Sequence, residues 1–244
     1  MHARQMYACV MDRQGKILVH TNIKGNDFDY FLKRVKPYRH DLTVVSECTF
    51  NWYWLADACF DADLQFVLAH ALYLKHIHGG KNKNDRIDSE KLAHLLRANL
   101  IPPSYIYPSE RRPVRALLRQ RMSYVWERAT LKTHLSMNQT AEGLVPASKS
   151  GHNRDVWEES ILEQYSNPLH KFAVSCDMDM IRAYDDQINK LESTIIRQAK
   201  HEMGRDYHLL LSVYGIGQVL AMTILLEIDT IERFPAVKDF LSYS

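Results

Sequence analysis

The sequence lacks the features that would place it outside the cytoplasm or cross-link it covalently. Its 244 residues include only four cysteines, at positions 9, 48, 59 and 176, and none of them forms a C-x-x-C pair. Scattered cysteines are typical of a reducing compartment and argue against a disulfide framework or a thiolate zinc site. The sequence has no run of about 18 apolar residues and no apolar signal segment at residues 1–5. We therefore predict a cytoplasmic protein without a membrane partner.

The sequence also lacks a strong net charge, which is only +2. Bulk charge therefore gives no indication of a nucleic-acid partner. Local charge is different, because residues 109–134 carry seven basic and two acidic side chains. The basic side chains are Arg111, Arg112, Arg115, Arg119, Arg121, Arg128 and Lys132. Two interpretations explain this helical face equally well: it follows a phosphate backbone, or it is a solvated surface.

The first hundred residues alternate short apolar segments typical of strands with amphipathic segments typical of helices. The predicted elements are a hairpin over residues 6–23 with its turn at 13–15, helix 28–35, strand 42–45, helix 51–60, strand 65–69 and helix 89–100. This order predicts one mixed α/β sheet with helices outside it. The segment Leu42–Val45 has no polar alternation, which predicts a strand that is buried on both faces.

Three acidic residues lie where such a sheet would bind a ligand. Asp85 and Asp88 are three residues apart at the start of a helix, and this spacing places both carboxylates on one helix face. Taken alone, the pair favours a simpler interpretation, in which Asp85 or Asp88 is an N-cap and first-turn acid of the helix at 89–100. Glu47, however, follows the strand at 42–45, at the sheet edge where ligands bind in α/β proteins. Three acids from separate elements favour a divalent-metal site.

Beyond Pro102 and Pro103 the sequence predicts helices only. A long basic helix is predicted over residues 114–138, and the polar residues 147–153 indicate a loop or linker. Between residues 177 and 200, side chains at alternating spacings of three and four form a heptad-like seam: Ile181, Tyr184, Ile188, Leu191, Ile195 and Gln198. Such a seam joins chains in coiled coils. Packing of the helix within its own domain explains it at least as well.

Two glycines, Gly215 and Gly217, separate two apolar helical segments. They do not follow a strand and no third glycine completes the pattern, so a dinucleotide-binding fold is a poor match. A glycine turn between two helices leaves amide groups that can receive a phosphate, as in helix-hairpin-helix elements that contact the DNA backbone. An ordinary tight turn between helices is the alternative.

Considered together, these segments resemble the bacterial insertion-sequence transposases of the DEDD type, which are related to the Piv invertases. The resemblance covers nearly the whole chain and rests on four segments: residues 46–55, 76–91, 213–217 and 231–235. It implies a RuvC-like, RNase H-like α/β domain over residues 1–103. It further implies a helical region with a coiled-coil segment over residues 104–202, and the start of a C-terminal transposase domain over residues 203–244.

The resemblance also implies the chemistry of the acidic site. In this family four acids bind two divalent metal ions that flank a scissile phosphate of DNA. Glu47 matches the second of these acids, Asp85 the third and Asp88 the fourth. Their oxygen ligands suit Mg²⁺ or Mn²⁺. The implied function is metal-dependent cleavage and joining of DNA strands in transposition and recombination.

The partners implied by the resemblance are the DNA of the element ends and of the target, an element-encoded guide RNA and further copies of the chain. The implied location is the cytoplasm, in association with the nucleoid. Near the acids, Lys81, Lys83 and Arg86 would hold the DNA strand. The other residues predicted to contact nucleic acid are Arg111, Arg112, Arg115, Arg119, Gly215 and Gly217.

Two parts of the family pattern have no match in this sequence. The first acid of the family ends a strand that precedes the hairpin at 6–23, and Asp12 lies on the hairpin turn, where it does not fit that role. The unmatched strand is central in the RNase H fold, so we expect a gap between the strands at 6–10 and 42–45. The family also has a serine in a Ser-Gly motif, which neither Ser242 nor Ser244 matches.

These two departures lead us to expect a transposase chain that is truncated at both ends and inactive by itself. The alternative function is that of a non-catalytic remnant that binds DNA or RNA through the basic helix and the glycine turn. A junction resolvase or a DEDD exonuclease on the same fold is a third possibility. The transposase-like C-terminal segment argues against this third function.

Overall fold

The computed structural model of the protein describes residues 4–77, 84–146 and 154–243. These residues form two units, with the division between Ser109 and Glu110. The elements of the first unit are β1 (Gln5–Met11), β2 (Ile17–Lys24), α1 (Phe28–Val35), β3 (Thr43–Glu47), α2 (Tyr53–Asp61), β4 (Gln65–Ala69), α3 (Ala71–Ile77) and α4 (Asp85–Arg97). The predicted mixed α/β order is confirmed.

The four strands form two separate pairs instead of one sheet. β1 and β2 are antiparallel, with Met6 opposite Ile23, whereas β3 and β4 are parallel, with Glu47 opposite Ala69. Within the described part of the chain, neither β1 nor β3 pairs with a further strand. Residues from both of these strands line a common cavity of about 1500 Å³. The prediction of a single sheet was therefore wrong, whereas the expected gap between the hairpin and β3 is present.

One apolar cluster takes its buried residues from β1, β2 and β4, together with α1 and α2, and Val44 of β3 packs against it. Alternate residues of the hairpin contribute to this cluster, as a strand with one buried face requires. α1 contributes Phe31 and Val35, four residues apart on one helix face, and begins at Asp27, whose carboxylate accepts a hydrogen bond from the Tyr30 N–H. Side-chain packing, in place of a continuous ladder of backbone hydrogen bonds, thus links the hairpin to β4.

β3 is less buried than its sequence predicts. Thr43, Val44 and Val45 are only half-buried, and Ser46 is the one buried residue of the strand. All four of these residues line the cavity. The prediction that this strand is covered on both faces was therefore wrong, because the local sequence pattern cannot show that β3 pairs with β4 alone among the described strands.

The second unit is helical, as predicted. Its elements are α5 (Arg112–Ala141), α6 (Arg154–Leu162), α7 (Pro168–Leu211), α8 (Gln218–Ile228) and α9 (Val237–Tyr243). The long α7 begins at Asn167, whose side chain accepts a hydrogen bond from the Leu169 N–H, and Pro168 occupies the first helical position. None of the described helices combines the length and the apolarity that a membrane span requires.

The heptad-like seam of α7 is buried within the second unit. Ile181, Ile188 and Ile195 are all buried, and Ile195 shares a cluster with Leu118 of α5 and Leu226 of α8. This arrangement agrees with packing of the helix within its own domain. Association of chains through α7 stays a prediction, and so does a domain boundary near residue 202.

The buried cluster of α5, α7 and α8 gives a first test of this packing. Leu118 is fully buried, so Leu118→Ala should lower the free energy of unfolding by about 2–5 kcal/mol. Leu209 of α7 is 65% exposed, so Leu209→Ala is the matched control and should change this free energy by less than about 0.5 kcal/mol. Urea denaturation followed by circular dichroism measures both variants. Equal losses would contradict the packing described here.

Candidate metal and nucleic-acid sites

The helix that carries the acid pair begins earlier than its sequence predicts. α4 begins at Asp85, and its N-cap is Asn84, whose side chain accepts a hydrogen bond of 3.0 Å from the Arg86 N–H. Asp85 and Asp88 both lie in the first turn, where the helix dipole favours negative charge. The N-cap part of the simpler interpretation was therefore wrong. Its other part is confirmed, because both acids are first-turn acids of the helix.

The three predicted acids line the same cavity, between β1, β3 and α4. Glu47 ends β3, Asp85 is half-buried in the first turn of α4, and Asp88 is exposed. Lys91 lines this cavity as well. No role was predicted for Lys91, although its spacing of three from Asp88 places the two side chains on one helix face. The cavity therefore combines carboxylates with a cation.

The donor set of this cavity suits a hard divalent cation, because carboxylate oxygens are the ligands that Mg²⁺ and Mn²⁺ prefer. Across residues 4–77, 84–146 and 154–243, however, no three His, Cys, Asp or Glu side chains are close enough to hold a metal ion. The acids thus have suitable chemistry but do not form a complete coordination site. Of the basic residues predicted beside them, Arg86 is exposed on α4, while Lys81 and Lys83 lie outside the described residues.

The first turn of α4 is attached to the hairpin by His20 of β2. The imidazole Nε2 lies 3.0 Å from the backbone carbonyl oxygen of Arg86. Ser89 donates a hydrogen bond from Oγ to the same carbonyl at 2.8 Å, and its Oγ lies 3.3 Å from His20 Nε2. Tyr7 of β1 packs edge-on against the imidazole. The sequence pattern does not indicate a role for His20, because its contact with Arg86 spans 66 residues and leaves no local signal.

The last turn of α4 is attached to the turn of the same hairpin. Arg97 donates a hydrogen bond of 3.4 Å to the carbonyl of Arg13. Gly15 has a φ of +90°, and a Cβ at this position would lie 3.6 Å from the Arg97 side chain. Both ends of α4 therefore contact the hairpin, which fixes the acid pair relative to β1 and β2.

The basic face predicted to bind nucleic acid forms ion pairs with α8 and the residue that follows it. The pairs are Arg111 with Asp229, and Arg115 and Arg119 with Glu227. Burial alone would raise the pKa of Glu227, but hydrogen bonds from Arg119 and Arg115 lower this pKa below its ordinary value. Arg112, the first residue of α5, is half-buried. Much of the positive charge is thus compensated within the unit, and nucleic-acid binding by these residues stays a prediction.

A second group of ion pairs links α5, α6 and α7. Asp185 of α7 pairs with Arg128 of α5 and Arg154 of α6, and Glu158 of α6 pairs with Arg154 and Arg182. Burial opposes ionisation of Glu158, but hydrogen bonds from Arg182 and Arg154 lower its pKa overall. The arginines of α5 are therefore used in part to hold the helices together.

The turn between α7 and α8 is built as the two glycines predict. Gly215 has a φ of +88°, a conformation that costs glycine little and other residues more. Gly217 is the N-cap of α8 and offers no side chain to cap the helix. Tyr214, at the tip of the turn, is fully exposed. The structure thus has a short turn between two helices, and a helix-hairpin-helix element that binds DNA stays a prediction.

Two family models match this chain. One, described as a transposase and named for the DEDD type of IS110, matches residues 1–140 and so includes the whole cavity. The other, described as the transposase IS116/IS110/IS902 family, matches residues 207–244 and so includes the glycine turn. No curated protein matches the chain.

The Glu227 ion pairs should make the stability of the second unit depend on pH. Glu227→Gln should lower the free energy of unfolding by about 1–3 kcal/mol at neutral pH, because two arginines lose a charged acceptor. The pKa of Glu227 in the folded protein lies below its ordinary 4.5. The stability that ionised Glu227 contributes is therefore fully present above its ordinary pKa of 4.5. This stability is lost as the pH falls through the lower pKa of Glu227 in the folded protein.

Chemical denaturation over a series of acidic pH values measures this effect. The difference between wild type and Glu227→Gln should shrink as the solution becomes more acidic. Glu202→Gln, at an exposed position of α7, is the control and should show little difference at any pH. A difference for Glu227→Gln that did not change with pH would contradict the assignment.

Proposed function

Because the chain belongs to the IS110 family of insertion-sequence transposases, we propose that it acts on DNA strands in transposition and that its first unit carries the chemistry. The observation that carries this proposal is the placement of Glu47, Asp85 and Asp88. They come from two elements, Glu47 from β3 and the other two from α4, and all three line one cavity. Three carboxylates on one cavity suit phosphoryl transfer better than they suit a purely structural role.

The proposal includes an RNase H-like, RuvC-like fold for the first unit. An antiparallel hairpin, a parallel strand pair and an acid at the carboxyl end of β3 all support it. In that fold a central strand lies between the positions of β1 and β3. Such a strand would join the two pairs into one sheet and would bring a fourth acid to the cavity.

The proposal also includes Mg²⁺ or Mn²⁺, which Glu47, Asp85 and Asp88 would hold. A bound divalent ion would stabilise the charge on the transferring phosphate and activate the attacking oxygen. The contribution of this chain is the placement of the carboxylates, one at the end of β3 and two in the first turn of α4. Lys91, on the same face of α4 as Asp88, would offset their mutual repulsion.

DNA contact is proposed at two further places. The first is the glycine turn, where the uncapped N-terminus of α8 is suited to a phosphate. The second is the basic face of α5, where Arg119 is 57% exposed despite its ion pair. An element-encoded guide RNA, assembly into oligomers and a cytoplasmic location at the nucleoid are further parts of the proposal, supported by the family resemblance alone.

Metal titration tests the catalytic part of this proposal. Wild-type protein should bind Mn²⁺ in isothermal titration calorimetry, and Glu47→Ala or Asp88→Ala should weaken binding at least about tenfold, because each removes a ligand. Asp29→Ala is the matched control, since Asp29 is a first-turn acid of α1 outside the cavity. Equal Mn²⁺ affinity in all four proteins would overturn the metal site. DNA binding without any Mn²⁺ binding would favour the non-catalytic remnant.

The proposed DNA contact of α5 is tested by variants that change the competition between DNA phosphates and the Glu227 carboxylate for the arginines of α5. Arg119→Ala should weaken binding to duplex DNA and reduce the slope of log affinity against log salt by about 1. Glu227→Gln should instead tighten binding, because it removes the carboxylate that competes with phosphate for Arg115 and Arg119. Lys190→Ala, at an exposed position of α7, controls for the loss of one charge. Fluorescence anisotropy measures all four affinities, and equal changes for Arg119→Ala and Lys190→Ala would argue against the site.

A further inference from the structure

We infer that His20 is a positioning residue for the acid pair of α4, an inference that rests on the proposed function of that pair. Arg86 lies between the two acids in sequence, and its carbonyl is the atom that both His20 and Ser89 contact. A contact at this carbonyl limits rotation of the first turn about the helix axis. It thereby fixes the direction in which Asp85 and Asp88 leave the helix.

The geometry also assigns the proton of the imidazole. A carbonyl oxygen only accepts hydrogen bonds, so the 3.0 Å contact requires a proton on His20 Nε2. The Ser89 hydroxyl donates to the same carbonyl at 2.8 Å, so its oxygen faces Nε2 as an acceptor at 3.3 Å. One arrangement of protons accounts for the three contacts: the single Nε2–H of His20 is shared between the carbonyl and Ser89 Oγ, and the hydroxyl donates to the carbonyl.

The first turn of α4 has a physical need for such an anchor. Helix ends fray, and two carboxylates three residues apart on one face repel each other. Asn84 caps the helix, but that contact is local to the chain. His20 instead belongs to β2, where it lies opposite Cys9 and against the Tyr7 ring. The anchor is thus as stable as the hairpin itself.

Three variants separate positioning from general stability. His20→Leu removes the donor, whereas His20→Gln keeps an N–H donor at a similar distance from the backbone. His94→Leu is the control, because His94 is an exposed histidine on the same helix. Amide hydrogen exchange at Asp88–Glu90 should be about tenfold faster in His20→Leu than in wild type. It should be near wild type in His20→Gln and His94→Leu.

Two further measurements on the same proteins make the inference specific. Nitrogen-15 NMR of the wild-type imidazole at alkaline pH should show the proton of His20 on Nε2. Mn²⁺ affinity should fall by about 10–100-fold in His20→Leu, as for other residues that orient metal ligands, and recover in His20→Gln. A residue with only a structural role would lower the free energy of unfolding without changing Mn²⁺ affinity.

Each result of these experiments either supports or overturns the role of His20. A proton on Nδ1, or unchanged exchange and unchanged Mn²⁺ affinity in His20→Leu, would overturn it. If His20→Leu does not fold, His20→Phe takes its place in the comparison with His20→Gln, because it keeps a ring against Tyr7 but has no N–H donor. Wild-type protein that binds no Mn²⁺ would overturn the proposed metal function, while the NMR and exchange data would still decide whether His20 holds the turn.

Discussion

The structure of the first unit depends on one edge of β1 and one edge of β3. Both edges face a cavity instead of pairing with each other. Backbone N–H and C=O groups need hydrogen-bond partners, and an unpaired strand edge tends to recruit another strand. β1 and β3 have no further partner among the described residues, and both line the 1500 Å³ cavity. The hairpin is therefore held to the rest of the unit by side-chain packing through α1 and α2, and by α4.

This division explains why the acids share a cavity without converging. Asp85 and Asp88 lie on α4, which contacts the hairpin through His20 and Arg97 and also packs Leu95 against Ala69 of β4. Glu47 belongs to the other strand pair, where it lies opposite Ala69. The distance between the acids therefore depends both on the packing of α4 and on the separation of the two pairs. Any strand that paired with both edges would fix this separation and, with it, the geometry of the site.

Local patterns in the sequence were enough to predict local structure. The helix at 28–35 and the strand at 65–69 have the bounds that apolar periodicity predicted, because each forms from neighbouring residues. Strand pairing is not local, so the division into two sheets could not be predicted in the same way. The same limit applies to the cavity site: the acids were found from their spacing, whereas His20 contacts α4 across 66 residues.

Charge patterns show this limit most clearly in the second unit. The charges along α5 predict a basic face. Arg115 and Arg119, however, donate hydrogen bonds to the carboxylate of Glu227, which lies more than 100 residues later in the chain. These ion pairs reduce repulsion among the arginines and attach α8 to α5. A phosphate that binds this face must displace the same carboxylate, so DNA affinity and helix packing draw on the same side chains. Binding is therefore expected to weaken contacts that stabilise the unit, and the balance depends on how many phosphates bind at once.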